Sequence, residues 1–262
     1  MRKSKIVRAA LVGLAALGIA LPSAAAHQLD RYSNMLAERN CTIRYENITP
    51  GELVHARGLV SMEYGYQSKQ PQRFVNQPYH GTVVLKGTES YIDVDYGDYG
   101  SSHLRKGKDV YRFARTVSKK KKITYLDSNG AKARELAAKP YREEKDLLYG
   151  EDFGTKSVSH LLTAMLPAKD KPEGMPSYAF VDDGTLDSGL SFEDYRASSA
   201  QGLEAIRYYF KDGQLTKIAS VSYTRNDKGE LVGWKCVLKI DEFSGQPDET
   251  LLSLPQGIKA KK

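Results

Sequence analysis

The strongest constraint on the fold is a regular alternation of apolar and polar residues near the carboxyl end. Within "GELVGWKCVLKIDEF" (residues 229–243), every even-numbered residue from Val232 to Ile240 is apolar, whereas Lys235 and Lys239 lie at odd positions. Successive side chains of a β-strand point to opposite faces of the sheet. The segment therefore predicts a strand with one face buried, as an ordinary core or as a cavity wall, and the other face in water.

Two further segments with this pattern, "LEAIRYYF" and "LTKIASVSYTR", precede it, and short turns containing Asp-Gly and Lys-Gly separate the three. Such turns between alternating segments are typical of β-hairpins. Earlier strand-like segments are "CTIRYENI", "ARGLVSMEYGY", "TVVLKG", "SYIDVDYG", "DVYRFAR" and "ITYLD". The sequence therefore predicts an antiparallel meander.

Two segments carry the apolar spacing of one face of an α-helix. In "LDRYSNMLAERN" the apolar residues are Leu29, Tyr32, Met35 and Leu36, and in "GTKSVSHLLTAMLP" they are Val158, Leu161, Leu162, Met165 and Leu166. Helices this short need a packing partner, and a curved sheet is the obvious one. We therefore expect an α+β fold in which short helices cap a curved antiparallel sheet. It forms a single domain over residues 27–262, with a polar, loop-rich insertion near 168–200.

The amino-terminal residues have the three parts of a secretory signal peptide. A basic start precedes an apolar centre, and the small residues Ala24, Ala25 and Ala26 follow. The apolar centre is shorter than the roughly 20 residues that span a membrane. We expect cleavage between Ala26 and His27, no stable membrane span afterwards, and a periplasmic or secreted protein; the alternative is an uncleaved anchor.

The high net charge belongs largely to this leader. Four basic residues of the leader account for part of the formal charge of +7, which falls to +3 (7 − 4) without them. Interspersed charges of both signs give no support for a nucleic-acid partner. The densest basic run, Lys119 to Lys122, indicates a solvated turn or guarded edge strand, or a contact with a polyanion or anionic lipid.

Both cysteines, Cys41 and Cys236, follow the leader. In an oxidising compartment two cysteines most simply form one disulfide, here between the first strand and the last. The alternative is a pair of separate buried thiols.

No catalytic motif is present. The sequence lacks H-E-x-x-H, G-x-S-x-G, a Walker loop and G-x-G-x-x-G, so we predict no enzyme, no cofactor and no metal site. Asp93 and Asp95 are interpreted as a solvated strand face rather than calcium ligands. Asp182, Asp183 and Asp187 are interpreted as turn residues.

The pattern "YYFKDGQLTKI" followed by a long strand, and the ending "PDETLLSLPQGIK", resemble the LolA/LolB superfamily, with the closest local matches within residues 203–258. The resemblance implies an incomplete β-barrel capped by helices. In members of that superfamily the hydrophobic interior of the barrel takes up acyl chains of lipoproteins or, in related sensors, detects them.

The function expected from these features is an exported envelope protein that binds an acyl chain, a lipid or a lipoprotein. The predicted cavity is lined by Leu161, Leu162, Met165, Trp234 and Leu238. The alternative is a non-catalytic protein-binding or structural envelope module with a filled core and a tyrosine-rich outer surface. A hydrolase remains as a third hypothesis, which would need carboxylates or a histidine to converge in a cleft.

Overall fold

The computed structural model describes residues 27–48, 78–140, 161–171, 176–199, 202–225 and 231–261. This part of the chain is mostly antiparallel sheet with few helices, in agreement with the predicted α+β class. The predicted strand over 56–66 and the first residues of the second predicted helix lie outside the described residues. None of the described helices is long and apolar enough to cross a membrane.

The described part of the chain contains helix α1 and strands β1 to β14. The helix is α1 (Gln28–Ala37). The strands are β1 (Asn40–Asn47), β2 (Tyr79–Lys86), β3 (Glu89–Asp95), β4 (Tyr99–Lys106), β5 (Asp109–Val117), β6 (Ile123–Leu126), β7 (Glu135–Ala137), β8 (Lys139–Pro140), β9 (Ala179–Thr185), β10 (Ser191–Ser199), β11 (Gly202–Lys211), β12 (Gln214–Arg225), β13 (Leu231–Ser244) and β14 (Lys259–Lys261). A helical segment covers residues 161–164, and 3₁₀ turns cover Ala168–Asp170 and Glu249–Leu251.

Twelve strands form one sheet, in the order β6-β5-β4-β3-β2-β1-β13-β12-β11-β10-β9, with β8 paired to β5. The first long strand therefore lies beside the last one, and Ile43 of β1 is opposite Phe243 of β13. The terminal strands β6 and β9 do not pair with each other, so the described sheet is open rather than closed into a barrel.

The predicted hairpin turn between β11 and β12 is confirmed. Lys211 pairs with Gln214, which leaves a two-residue loop, and Asp212 and Gly213 have φ angles of 50° and 73°. Positive φ at both positions is the requirement of a type I′ turn, which matches the twist of the flanking strands.

The main core lies on one face of the sheet, under α1 and residues 161–166. The core residues are almost completely buried, and they come from α1, from the sheet and from residues 161–166. They are Leu29, Tyr32, Leu36, Ile43, Tyr45, Val83, Leu85, Ile92, Val94, Leu161, Leu162, Met165, Leu166, Ile206, Tyr208, Phe210, Ile218, Cys236, Leu238 and Ile240. The face of α1 expected from its periodicity is the one that is buried.

The opposite face of the sheet is not wholly in water, contrary to the expectation from alternation. On β4 and β5 a second cluster contains Leu104, Tyr111 and Phe113, together with Ala133 and Leu136. Leu254 and Ile258 near the carboxyl end pack against it, and β14 pairs in parallel with β7. The carboxyl-terminal segment therefore covers part of the back of the sheet.

Two of the longer strand regions were not predicted, and neither were the short strands β7 and β8. β4 was missed altogether, and the stretch near 168–200 that was expected to be loop-rich contains the antiparallel hairpin β9–β10. Asp182 and Asp183 accordingly lie on a strand, whereas Asp187 lies in the turn between the two strands.

Candidate functional site: the roofed face and the open sheet edge

The structure brings four of the five predicted cavity residues into one cluster. Leu161, Leu162, Met165 and Leu238 all belong to the main core, with exposed fractions of 0%, 0%, 2% and 0%. These four side chains therefore present almost no surface to solvent. Trp234 lies in β13, but its side chain is outside the described residues.

The helix α1 and residues 161–166 together form a roof over the main core. Hydrogen bonds hold these two parts of the roof to each other and to the sheet. The buried Ser33 hydroxyl of α1 donates to the Met165 carbonyl oxygen. The Tyr32 hydroxyl accepts a hydrogen bond from the Leu215 backbone N–H at 2.8 Å and donates to the Gly213 carbonyl at 3.1 Å. Opening of this roof therefore requires that buried hydrogen bonds break as well as apolar contacts.

A buried carboxylate fixes the amino-terminal end of α1. Glu193 on β10 is 3% exposed and accepts hydrogen bonds from the backbone N–H groups of Gln28 at 2.6 Å and Leu29 at 3.3 Å. The Tyr195 hydroxyl also donates to it at 3.1 Å, and burial together with the Glu193 charge raises the pKa of Tyr195. A carboxylate is favourable here because the first N–H groups of a helix lack partners and carry positive potential.

The predicted disulfide is wrong for this structure. Cys41 and Cys236 are both buried and are not joined to each other. Cys41 lies next to Thr42, which is opposite Ser244, whereas Cys236 lies beyond Leu238, which is opposite Asn47. The cysteines are thus about eight residues apart along the paired strands, or roughly 25 Å at the rise of a β-strand. A disulfide requires Cα atoms within about 7 Å.

The sequence suggested a solvated strand face for Asp93 and Asp95, and this is wrong for Asp93, which is buried, whereas the Asp95 side chain is 39% exposed. Asp93 is 7% exposed and forms a bidentate ion pair with Arg115 of β5, whose second nitrogen also lies 3.0 Å from Asp95. Ser102 donates to Asp93 at 2.5 Å. Both carboxylates lie beside the same guanidinium, so this polar cluster is structural. Among the described residues, no group of three or more His, Cys, Asp or Glu is placed to hold a metal.

The edge strand β9 carries two adjacent exposed apolar side chains. It pairs with β10, and within the described part of the chain no strand lies on its other side. Phe180 and Val181 are 39% and 44% exposed. The Phe180 ring centroid lies 4.2 Å from that of His27 and 5.7 Å from that of Tyr195, so α1 and β10 support it from one side only.

The opposite edge is better protected. On β6 the Tyr125 carbonyl accepts a hydrogen bond from the Ala133 N–H at 2.9 Å, and Leu126 forms a bridge with Lys132. The exposed lysines from Lys119 to Lys122 directly precede this strand, as expected for a solvated turn and a guarded edge. The two edges therefore differ: the last residues of β6 have partners while Ile123 at its start is 50% exposed, and β9 has no second neighbouring strand among the described residues.

No protein-family model matches this chain. No curated protein sequence matches it either. Among solved structures, the chain aligns with one described as "Crystal structure of MucB in complex with MucA(peri)", at 10% sequence identity, over 86% of this chain and 97% of that chain, with a TM-score of 0.14. A TM-score this low carries no argument about fold or function. The LolA/LolB-like relationship therefore stays a prediction from the sequence.

Sequence reasoning missed Glu193, Arg115 and Phe180. The first two are buried charged residues whose partners come from distant segments, so no local pattern marks them. Phe180 lies in a stretch whose acidic residues were interpreted as part of a turn. Its position directly before Val181 was the available signal for a strand.

Proposed function

We propose that this protein is a non-catalytic binding module of the bacterial envelope that takes up an extended polypeptide segment along β9. The observation that carries the proposal is the open edge of the sheet with the adjacent exposed side chains Phe180 and Val181. An edge strand presents unpaired N–H and C=O groups, and an extended peptide that pairs with them extends the sheet.

The burial of the roofed face supports this choice over ligand uptake in a cavity. Leu161, Leu162 and Leu238 have no exposed surface, which favours a filled core at these positions. A filled core leaves the outer surface and the sheet edge as the places where a partner can bind. The described part of the back face is itself partly covered by the carboxyl-terminal segment, whereas β9 presents two adjacent exposed apolar side chains, Phe180 and Val181.

The test uses a display library of random ten-residue peptides selected on the purified protein. Peptides that bind should lose most of their affinity for Val181→Lys, since a lysine on the edge opposes strand addition. Ile123→Lys is the matched control on β6, where the replaced side chain is 50% exposed, and it should leave binding unchanged. Bound peptide should also slow amide hydrogen exchange within Ala179–Thr185. Peptides insensitive to Val181→Lys, or a library without binders, would overturn the proposal.

A lipid or acyl chain remains the second candidate, favoured by the continuous apolar cluster between the sheet and the helical roof. In a half-barrel of the LolA/LolB kind, an acyl chain would enter after residues 161–166 move away from the sheet. Lipid that co-purifies with the protein, or quenching of Trp234 fluorescence by added fatty acid, would support this function. Unchanged fluorescence together with a lipid-free protein would remove it.

A further inference from the structure

The segment that contains β9 and β10 carries a charge opposite to that of the whole chain. Between residues 176 and 199 there are five carboxylates, Asp182, Asp183, Asp187, Glu193 and Asp194, and one cation, Arg196, which gives −4 (1 − 5) in a chain of formal charge +7. An acidic patch on a basic protein attracts cationic partners and repels anionic ones.

Part of this negative charge is already neutralised within the fold. Arg207 holds Asp194 through two hydrogen bonds of 2.6 and 2.7 Å, and its guanidinium also lies 4.0 Å above the Phe192 ring. Glu193 is buried against the start of α1. These two carboxylates are therefore occupied by partners of their own.

Asp182 and Asp183 differ from them because both are exposed on the edge strand. Within the described residues neither forms an ion pair, and the Asp183 N–H donates to the Asp182 side chain at 2.9 Å. Register places Asp183 opposite Glu193 and Asp182 opposite Asp194, so the two side chains lie on different faces of the sheet. An added strand would therefore have an unpaired carboxylate beside it on each face.

The exposed apolar side chains lie directly next to these carboxylates. Phe180 and Val181 precede Asp182 in the strand, and Phe180 presents an aromatic ring. Lys and Arg side chains combine a long apolar stem with a terminal cation, and cations are attracted to aromatic faces. This edge offers carboxylates to the terminal cation of such a side chain and apolar surface to its stem.

We infer that the segment bound along β9 is basic, with Lys or Arg side chains against Asp182 and Asp183 and their stems against Phe180 and Val181. The inference rests on the proposed uptake of an extended segment and names the chemistry of that segment. Its partner is a separate polypeptide, because β9 of a second copy would bring carboxylates of the same sign beside Asp182 and Asp183.

The experiment compares three labelled ten-residue peptides that share a threonine- and valine-rich strand sequence and differ only in four alternating positions, filled with Lys, Gln or Glu. Binding is measured by fluorescence anisotropy at low salt. The Lys peptide should bind about tenfold more tightly than the Gln peptide, since each exposed ion pair contributes modestly, and the Glu peptide should bind more weakly than both.

The variant Asp182→Asn with Asp183→Asn should reduce the preference for Lys over Gln to about twofold or less and leave the affinity for the Gln peptide unchanged. The matched control, Asp109→Asn with Glu135→Gln, removes two exposed carboxylates that lie on β5 and β7 rather than on β9, and it should keep the full preference. High salt should reduce the preference in the wild type as well.

The outcomes separate the inference from the proposal beneath it. Equal affinities for the Lys and Gln peptides, or a preference that survives Asp182→Asn with Asp183→Asn, would overturn the inference while edge binding stands. Binding of no peptide, or binding insensitive to Val181→Lys, would overturn the proposed function itself. Self-association of the wild type that the two asparagines abolish would identify a second copy as the occupant and would also overturn the inference.

Discussion

Gly100 on β4 lies beneath the guanidinium of Arg115, and replacement by alanine should break the buried ion pair. A Cβ at this position would stand 2.5 Å from Arg115 Cζ and 2.7 Å from each terminal nitrogen. The φ angle of Gly100 is not positive, so alanine fits its backbone. At a position without such crowding, glycine-to-alanine replacement stabilises a protein by about 0.4–1 kcal/mol.

We expect the opposite sign here. Displacement of Arg115 removes its bidentate contact with Asp93 and its contact with Asp95, and it leaves Asp93 buried at 7% exposure. Removal of one partner from a buried ion pair costs about 3–5 kcal/mol. Because the displaced guanidinium can reach water, Gly100→Ala should lower the free energy of unfolding by about 2–4 kcal/mol.

Urea denaturation of the wild type, Gly100→Ala, Arg115→Met and the double variant tests this reasoning. In the Arg115→Met background the glycine replacement should become neutral or stabilising by about 0.4–1 kcal/mol, because the crowded group is gone. Gly107→Ala is a control for backbone strain: its φ is 58° with no atom within 4 Å, and it should cost about 1–2 kcal/mol in both backgrounds. An equal cost of Gly100→Ala with and without Arg115 would refute the argument.

Two further predictions concern groups that the fold keeps un-ionised. Because Cys41 and Cys236 are not joined to each other, both thiols should react with a thiol reagent in denaturant without reductant, and a mass spectrum with a Cys41–Cys236 linkage would contradict this. Burial raises the pKa of the Cys41 thiol to about 12, so Cys41 should resist alkylation in the native protein at pH 8. Burial and the Asp93 charge likewise raise the pKa of Tyr91 to about 12. Because folding disfavours the ionised forms of Cys41 and Tyr91, the stability they contribute is complete below about pH 9 and is lost as the pH rises toward 12. The urea midpoint should therefore fall over that window, less so in Cys41→Ser with Tyr91→Phe, and a midpoint constant to pH 11 would count against it.

Local periodicity was sufficient to predict α1, the three closing strands and the Asp-Gly turn. These elements each bury one face, so the spacing of apolar residues reports their structure directly. β4 escaped prediction because its positions beside Arg115 carry Gly100 and Ser102, which leave room for a guanidinium and make the strand look polar. β9 escaped because its carboxylates resemble those of turns.

Leu161, Leu162, Met165 and Leu238 lie in one buried cluster, since each lies on the apolar side of its element, and their role as a cavity lining stays a prediction. Whether room for a ligand remains among them depends on side-chain volumes and on the distance between layers, which the spacing of residues does not record. The register between neighbouring strands likewise cannot be predicted from the spacing of residues. The pairing of Cys41 with Cys236 failed because adjacent strands were inferred without the offset between them.

The pairing of β1 with β13 has a consequence for how the chain matures. Ile43 meets its partner Phe243 only after 200 further residues have been made. Contacts between such distant segments are slow to form because a long loop must close first. The edge of β1 that pairs with β13 therefore stays unpaired until almost the whole polypeptide has been made. A chain stopped before β13 would lack the central seam of the sheet and would be prone to aggregation.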